Sequence, residues 1–156
     1  MKGNDKLLEV LNRLLADELT AINQYVVHSE MAENWGYGKL KKLVRSRSIT
    51  EMKHAEKLIE RILFLEGIPI VSRLNDIKIG ADVPKQLAND LAAEMSAVQN
   101  YNAAIKVACD VGDNATKDIL EGILQQEDDH VNEIEEKLDQ IQQMGLQNLL
   151  VTQTGE

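Results

Sequence analysis

A chain of 156 residues is long enough to bury a sizeable core but fits the length of one domain, residues 1–156. With 44% hydrophobic and 28% charged residues it is neither a disordered nor a membrane-embedded sequence, and a net charge of −9 excludes nucleic acid as its main partner. Cys109 is the single cysteine, which excludes an intrachain disulfide and fits a reducing compartment, the cytoplasm by default.

Four long helices are legible from apolar spacing, in chain order. Leu8, Leu11, Leu15, Glu18, Ile22 and Tyr25 step by three and four, so they share one face of a first helix. Asn34-Trp35-Gly36-Tyr37-Gly38 then reads as a turn. Leu40, Leu43, Arg47, Glu51, His54, Leu58, Ile62 and Leu65 mark the inner stripe of a second helix. From Gly67 to Ala81 the period weakens, with Pro69 and Gly80 inside. Such a segment stretches to roughly 50 Å, longer than the ~42 Å of a 28-residue helix. It can therefore run the length of a bundle and leave helices two and three parallel.

Asp82 followed by Pro84 reads as the start of a third helix, whose stripe is Leu87, Leu91, Glu94, Val98, Tyr101, Ile105 and Ala108. Val111-Gly112-Asp113-Asn114 is the next turn. Leu120, Ile123, Glu127, His130, Ile134, Leu138 and Ile141 define the fourth helix. Gly145 stops it, and Leu146 to Val151 form one short fifth helix. The expected class is all-α: a ferritin-like four-helix bundle with one long crossover between helices 2 and 3. The polar start shows no secretory leader, and no apolar run approaches the ~18 residues that span a bilayer.

The chain repeats itself at an offset of 76 residues. Glu18-Leu-Thr-Ala-Ile-Asn-Gln-Tyr25 returns as Glu94-Met-Ser-Ala-Val-Gln-Asn-Tyr101, and Glu51-Met-Lys-His54 as Glu127-Asp-Asp-His130. Residues three apart share a helix face, so each Glu-x-x-His pair points one way. All six of Glu18, Glu51, His54, Glu94, Glu127 and His130 fall on apolar stripes. One Glu from each of two helices and Glu-x-x-His from each of the other two is the ligand set of a di-iron carboxylate bundle. Four buried carboxylates need balancing charge, since one unpaired buried ion costs several kcal/mol. Two divalent cations supply it, and oxygen with imidazole ligands suits iron or manganese. His28, three residues past Tyr25 and without a carboxylate at ligand spacing, reads as a surface or interface residue.

Together with Glu60-Arg-Ile-Leu-Phe-Leu-Glu-Gly67 and Met144-Gly-Leu-Gln-Asn148, these stretches make the chain resemble the bacterioferritin family. The resemblance implies that Glu51 and Glu127 bridge two irons, that Glu18 with His54 and Glu94 with His130 complete one iron each, and that the subunits form a hollow 24-mer around an iron mineral. The implied activity is a ferroxidase that takes Fe(II) and either oxygen or hydrogen peroxide. Tyr25 points toward the site. By resemblance it donates an electron; read from the residues alone, it holds a ligand carboxylate. Tyr101 occupies the matching place in the second half.

Met52 lies about 100° around the helix from Glu51 and about 160° from His54, so it faces away from the metals. An outward Met is ordinarily a packing contact. The family resemblance implies instead that Met52, with its copy in a dimer partner, ligates a haem b shared between two subunits, bordered by Trp35 and Lys53. Iron release would draw electrons through that haem from a ferredoxin-like reductant. Arg45 stands where the family often has an aromatic residue, weakening the haem or binding its propionate. Ser46 and Thr50 lack the ligands of an extra inner-surface iron, and Arg45 and Arg47 repel cations near a ferrous route. Asn34, Glu66, Asp118, Glu121 and Asp139 are candidate pore residues by resemblance and otherwise solvated surface. The rivals are a non-storage di-iron or di-manganese redox enzyme of the same fold and a low-activity accessory subunit of a mixed cage. A DNA-coating mini-ferritin fits least, because this chain keeps all six ligands in one subunit.

Overall fold

The computed structural model describes all 156 residues and contains five helices and no strand. α1 spans Asp5–Asn34, α2 Gly38–Phe64, α3 Val83–Asp110, α4 Asn114–Met144 and α5 Leu146–Thr152. Local chemistry sets the boundaries. The Asn4 side chain accepts from the Lys6 and Leu7 amides at 2.9 and 3.1 Å, Asp82 caps Lys85 N at 2.9 Å with Pro84 in the first turn, and Asp113 caps Thr116 N at 3.0 Å. Gly145, at φ +87°, ends α4 in a conformation that L side chains rarely adopt.

Polar contacts between helices reveal the topology. Gln24 meets Asp90 and Tyr25 meets Glu94, while Asp17 meets Asn100 and Glu18 meets Tyr101, so α1 and α3 run antiparallel. Arg47 meets Glu133, His54 meets Gln126 and Arg61 meets Thr116, so α2 and α4 also run antiparallel. The short turn between α1 and α2 makes those two antiparallel as well. Hence α2 and α3 are parallel, and the segment between them crosses the whole bundle, as expected for the ferritin-like arrangement.

The core divides into two aliphatic blocks. One is built from Leu7, Leu11, Leu14 and Leu15 with Leu58, Ile62, Tyr101, Ala104, Leu120 and Ile123. The other holds Tyr25, Leu40, Val44, Val83, Leu87 and Ile134. On every long helix the Glu and His of the repeat fall between residues of one block and residues of the other. The apolar blocks thus sandwich a charged layer and keep bulk water from it at both ends.

The crossover is fastened to a polar stripe on α1. Asn12 donates to Ile68 O at 3.1 Å and accepts from Ile70 N at 2.8 Å. Thr20 accepts from Asn75 N at 2.8 Å, Gln24 from Lys78 N at 3.0 Å, and His28 Nε2 from Gly80 N at 3.0 Å. These residues recur at multiples of four, so the stripe follows the strap as it crosses the helix. His28 is therefore fully buried, which corrects the expectation of a surface residue. Its other ring nitrogen, Nδ1, meets Asp90 Oδ1 of α3 at 2.9 Å. That partner is 62 residues away in sequence, invisible to any reading of ligand spacing along one helix.

The strap ends at a close approach. A Cβ on Gly80 would lie 2.4 Å from the Gln86 amide nitrogen and 2.7 Å from its Cα. Backbone cannot swing aside as a flexible side chain can. Gly80→Ala is expected to cost about 1–3 kcal/mol, the scale of overpacking, and to speed hydrogen exchange at the Lys78 and Gly80 amides. Unchanged denaturation and exchange would contradict the strap's role.

Candidate metal centre

Glu18 comes from α1, Glu51 and His54 from α2, Glu94 from α3, and Glu127 and His130 from α4. All six are buried. They form two overlapping groups: Glu18, Glu51, His54 and Glu127, and Glu51, Glu94, Glu127 and His130. Within each group, one donor atom per residue lies within 4.8 Å of all the others, and Glu51 and Glu127 belong to both. The six residues of the repeat are thus brought together in one layer.

Whether a metal fits is answered by the unpaired atoms. Glu18 Oε2, Glu51 Oε1, His54 Nδ1, Glu94 Oε2, Glu127 Oε1 and His130 Nδ1 are buried without a hydrogen-bond partner, one atom from each of the six residues. Some of them are near neighbours, with His54 Nδ1 2.8 Å from Glu127 Oε1 and His130 Nδ1 2.9 Å from Glu51 Oε1. The distances are short, yet the groups are misaligned for hydrogen bonding. Buried polar atoms are nearly always paired; six orphans converging in one layer fit metal ions that would accept their lone pairs.

Surrounding groups orient the ligands. Tyr101 Oη donates to Glu18 Oε1 at 2.5 Å, and Tyr25 Oη donates to Glu94 Oε1. His54 Nε2 faces the Gln126 carbonyl oxygen at 2.5 Å, which directs Nδ1 toward the carboxylates. Behind Tyr25, the Arg47 guanidinium lies 5.3 Å from the ring centroid, 3.2 Å from Glu133 Oε1 and 3.6 Å from Asp90 Oδ2. Arg47 is 1% exposed, so of the two arginines expected near a ferrous route only Arg45 faces outward. Gln126, Glu133 and Asp90 were not singled out by sequence. Their partners lie on other helices, and only their i−1, i+3 and i−4 offsets from the ligands on their own helices hinted at them.

Electrostatics match a site short of positive charge. Burial and the charge of Glu51 push the Glu18 carboxyl well up. Burial and the adjacent Glu94 carboxyl do the same to Glu127. Burial opposes ionisation of Glu51 too, but the adjacent Glu18 carboxyl and the His130 and His54 imidazoles hold it below the usual carboxylate range. Burial disfavours the charged imidazoles, yet Glu18 and Glu51 push His54 up to about 10, and Glu51 and Glu94 push His130 up to about 9. Without metal, protons do the neutralising. A cavity of about 330 Å³ opens from this layer between α1 and α3, lined at its outer part by Asp17, Asn75, Asp76 and Lys78.

The other candidates lie apart from this layer. Met52 is 47% exposed on the outward side of α2, and Lys53 beside it is exposed. Trp35 stacks at a tilt on Tyr37 in the α1–α2 turn, about 20 Å of helix away from Met52. Asn34, Glu66, Asp118, Glu121 and Asp139 are all exposed; Glu66 pairs with the N-terminal amine at 3.2 Å and Glu121 with Lys117 at 3.5 Å.

An all-helical bundle with carboxylate and imidazole ligands converging from its four long helices is a ferritin-like protein, and the ferritin-like domain family matches residues 8–144. The bacterioferritin of Rhodobacter capsulatus is 42% identical over 147 residues, covering 94% of this chain and 91% of that protein. The bacterioferritins of Mycolicibacterium paratuberculosis and Brucella melitensis are 37% and 38% identical, over 94% and 93% of this chain and 92% and 90% of their own. The chain belongs to the bacterioferritin family of iron-storage ferroxidases. Iron is accordingly its substrate. No helix is long and apolar enough to cross a membrane.

Proposed function

We propose that residues 1–156 act as one ferritin-like domain whose Glu18, Glu51, His54, Glu94, Glu127 and His130 bind two Fe(II) ions per subunit for oxidation by oxygen or hydrogen peroxide. The observation that carries this reading is the set of six orphaned donor atoms, one per residue, facing one another in a buried layer. Glu51 and Glu127, common to both groups, would serve both ions, and Glu18 with His54 and Glu94 with His130 would complete one ion each. The irons supply the redox chemistry. The protein holds its carboxylates in place through Tyr25 and Tyr101, shields the layer with two aliphatic blocks, and gives up protons from His54 and His130 as the ions bind. The product is stored as mineral in a 24-subunit cage in the cytoplasm.

The reading extends to haem. Met52 offers an exposed thioether with no partner in its own chain, flanked by the 40% exposed Ile49. A soft sulfur in a partly apolar outward patch fits one half of a two-methionine grip on haem b across a dimer axis. Bound haem would pass electrons inward from a ferredoxin-like reductant when iron is released. Protein reconstituted with haem should show a low-spin absorption spectrum that Met52→Leu abolishes and Met52→His shifts; an unchanged spectrum in both removes Met52 as ligand. The ferroxidase reading is tested by stopped-flow mixing of the metal-free protein with Fe(II) and oxidant, alongside sizing. Fast oxidation by a particle near half a megadalton, lost in His130→Ala, supports it. Equal rates in both proteins, or a monomer, would sink it.

A further inference from the structure

The metal layer has approximate twofold symmetry, and the structure breaks it behind the two histidines. The 76-residue offset pairs Glu18 with Glu94, Glu51 with Glu127 and His54 with His130. It also pairs Tyr25 with Tyr101, and each phenol donates to the carboxylate of the opposite half, Tyr101 to Glu18 and Tyr25 to Glu94. The outer carboxylates are thus held alike. The imidazoles are not. His54 Nε2 meets Gln126 Oε1 at 2.5 Å, while its Nδ1 faces Glu18, Glu51 and Glu127 at 3.6, 3.5 and 2.8 Å. His130 Nδ1 faces Glu51 and Glu94 in the same manner, at 2.9 and 3.3 Å, but its Nε2 makes no hydrogen bond within the protein.

The repeat supplies the reason. Gln126 is the residue before Glu127 on α4, and it reaches across to His54 on α2. The equivalent residue for His130 is the one before Glu51 on α2, which is Thr50. Threonine is shorter than glutamine, and the Thr50 hydroxyl is used within its own helix, donating to Ser46 O at 3.2 Å. A neutral imidazole that ligates through Nδ1 carries its proton on Nε2. An acceptor at Nε2 therefore fixes that tautomer, holds the ring in one orientation and makes Nδ1 a better donor of its lone pair. Gln126 does all of this for His54. His130 receives none of it from the protein, and it is also the more exposed ring, 7% against 0%.

We propose that Gln126 is the positioning residue that makes the Glu18–His54 half the tighter of the two ion positions, so that the first Fe(II) settles there and the position beside Glu94 and His130 fills second. The proposal rests on the two-ion reading of the centre. Gln126 itself is exposed, so it can be replaced without opening the core.

The test is anaerobic titration of the assembled protein with Co(II), read from the visible absorption of the bound ion, in variants that keep one half each. Glu94→Ala keeps the His54 half, and Glu18→Ala keeps the His130 half. Co(II) should bind about 10–100-fold more tightly to Glu94→Ala than to Glu18→Ala, the range over which an outer partner changes metal affinity. Adding Gln126→Leu should weaken Glu94→Ala by that factor and shift its Co(II) absorption bands, while leaving Glu18→Ala unmoved. Gln126→Glu, which keeps an acceptor, should leave Glu94→Ala at least as tight as Gln126 does. Equal affinities in the two half-site proteins, equal weakening of both by Gln126→Leu, or a Gln126→Glu as weak as Gln126→Leu would overturn the proposal and leave the two-ion reading intact. No Co(II) bound by the wild type would overturn both.

Discussion

Replacing Glu127 with alanine should empty the centre of both metal ions, whereas Glu94→Ala should remove one. Glu127 faces both donor groups, and Glu94 only one. In Glu127→Ala, Fe(II) oxidation should fall by at least the ~100-fold that loss of even an outer partner of a metal ligand can cost. Anaerobic titration with Co(II), followed by its absorption spectrum, counts the ions directly: two per wild-type subunit, one in Glu94→Ala, none in Glu127→Ala. Two ions retained in Glu127→Ala would show that this carboxylate is not shared.

The metal-free protein should lose stability as the pH rises, and metal should cancel that loss. His54 and His130 are raised in the folded state from 6.5 to about 10 and about 9. A group raised on folding adds stability that is complete below its unfolded value and is lost as pH climbs through its folded value. The loss should therefore run from about pH 6.5 to about pH 10, with Glu18 and Glu127, also raised, acting in the same direction. Zn(II), which has no redox chemistry, must displace those protons to bind. Its affinity should rise with pH, and its binding heat at pH 7 should depend on the buffer's own ionisation heat. At a thousandfold excess over Kd a bound ion adds about 4 kcal/mol, or roughly 8–16 °C in Tm for a chain of this size. Equal heats in phosphate and Tris buffers would show that no protons leave.

The architecture was legible because each device that makes it is local. The Asp82 cap, the Gly145 stop and the three-and-four spacing of Leu and Ile act within a few residues, so sequence order suffices to read them. The six ligand positions were legible for a second reason: they recur at one offset, and Glu-x-x-His places both groups on one helix face. What sequence order hides is pairing across the bundle. His28 looked unpartnered because Asp90 and Gly80 reach it from α3 and the crossover. Arg47 sat on an apolar stripe with no visible reason, and its partners Tyr25, Asp90 and Glu133 come from three other helices. A polar stripe at multiples of four, Asn12, Thr20, Gln24 and His28, was the available signal that the strap covers this side of α1 rather than solvent.

The most direct test is a crystal soaked anaerobically in ferrous salt, with iron located by its anomalous scattering. The account predicts two iron peaks in every subunit, one among Glu18, Glu51, His54 and Glu127 and one among Glu51, Glu94, Glu127 and His130. Iron found only on exposed acidic side chains, with this buried layer free of it, would contradict the account.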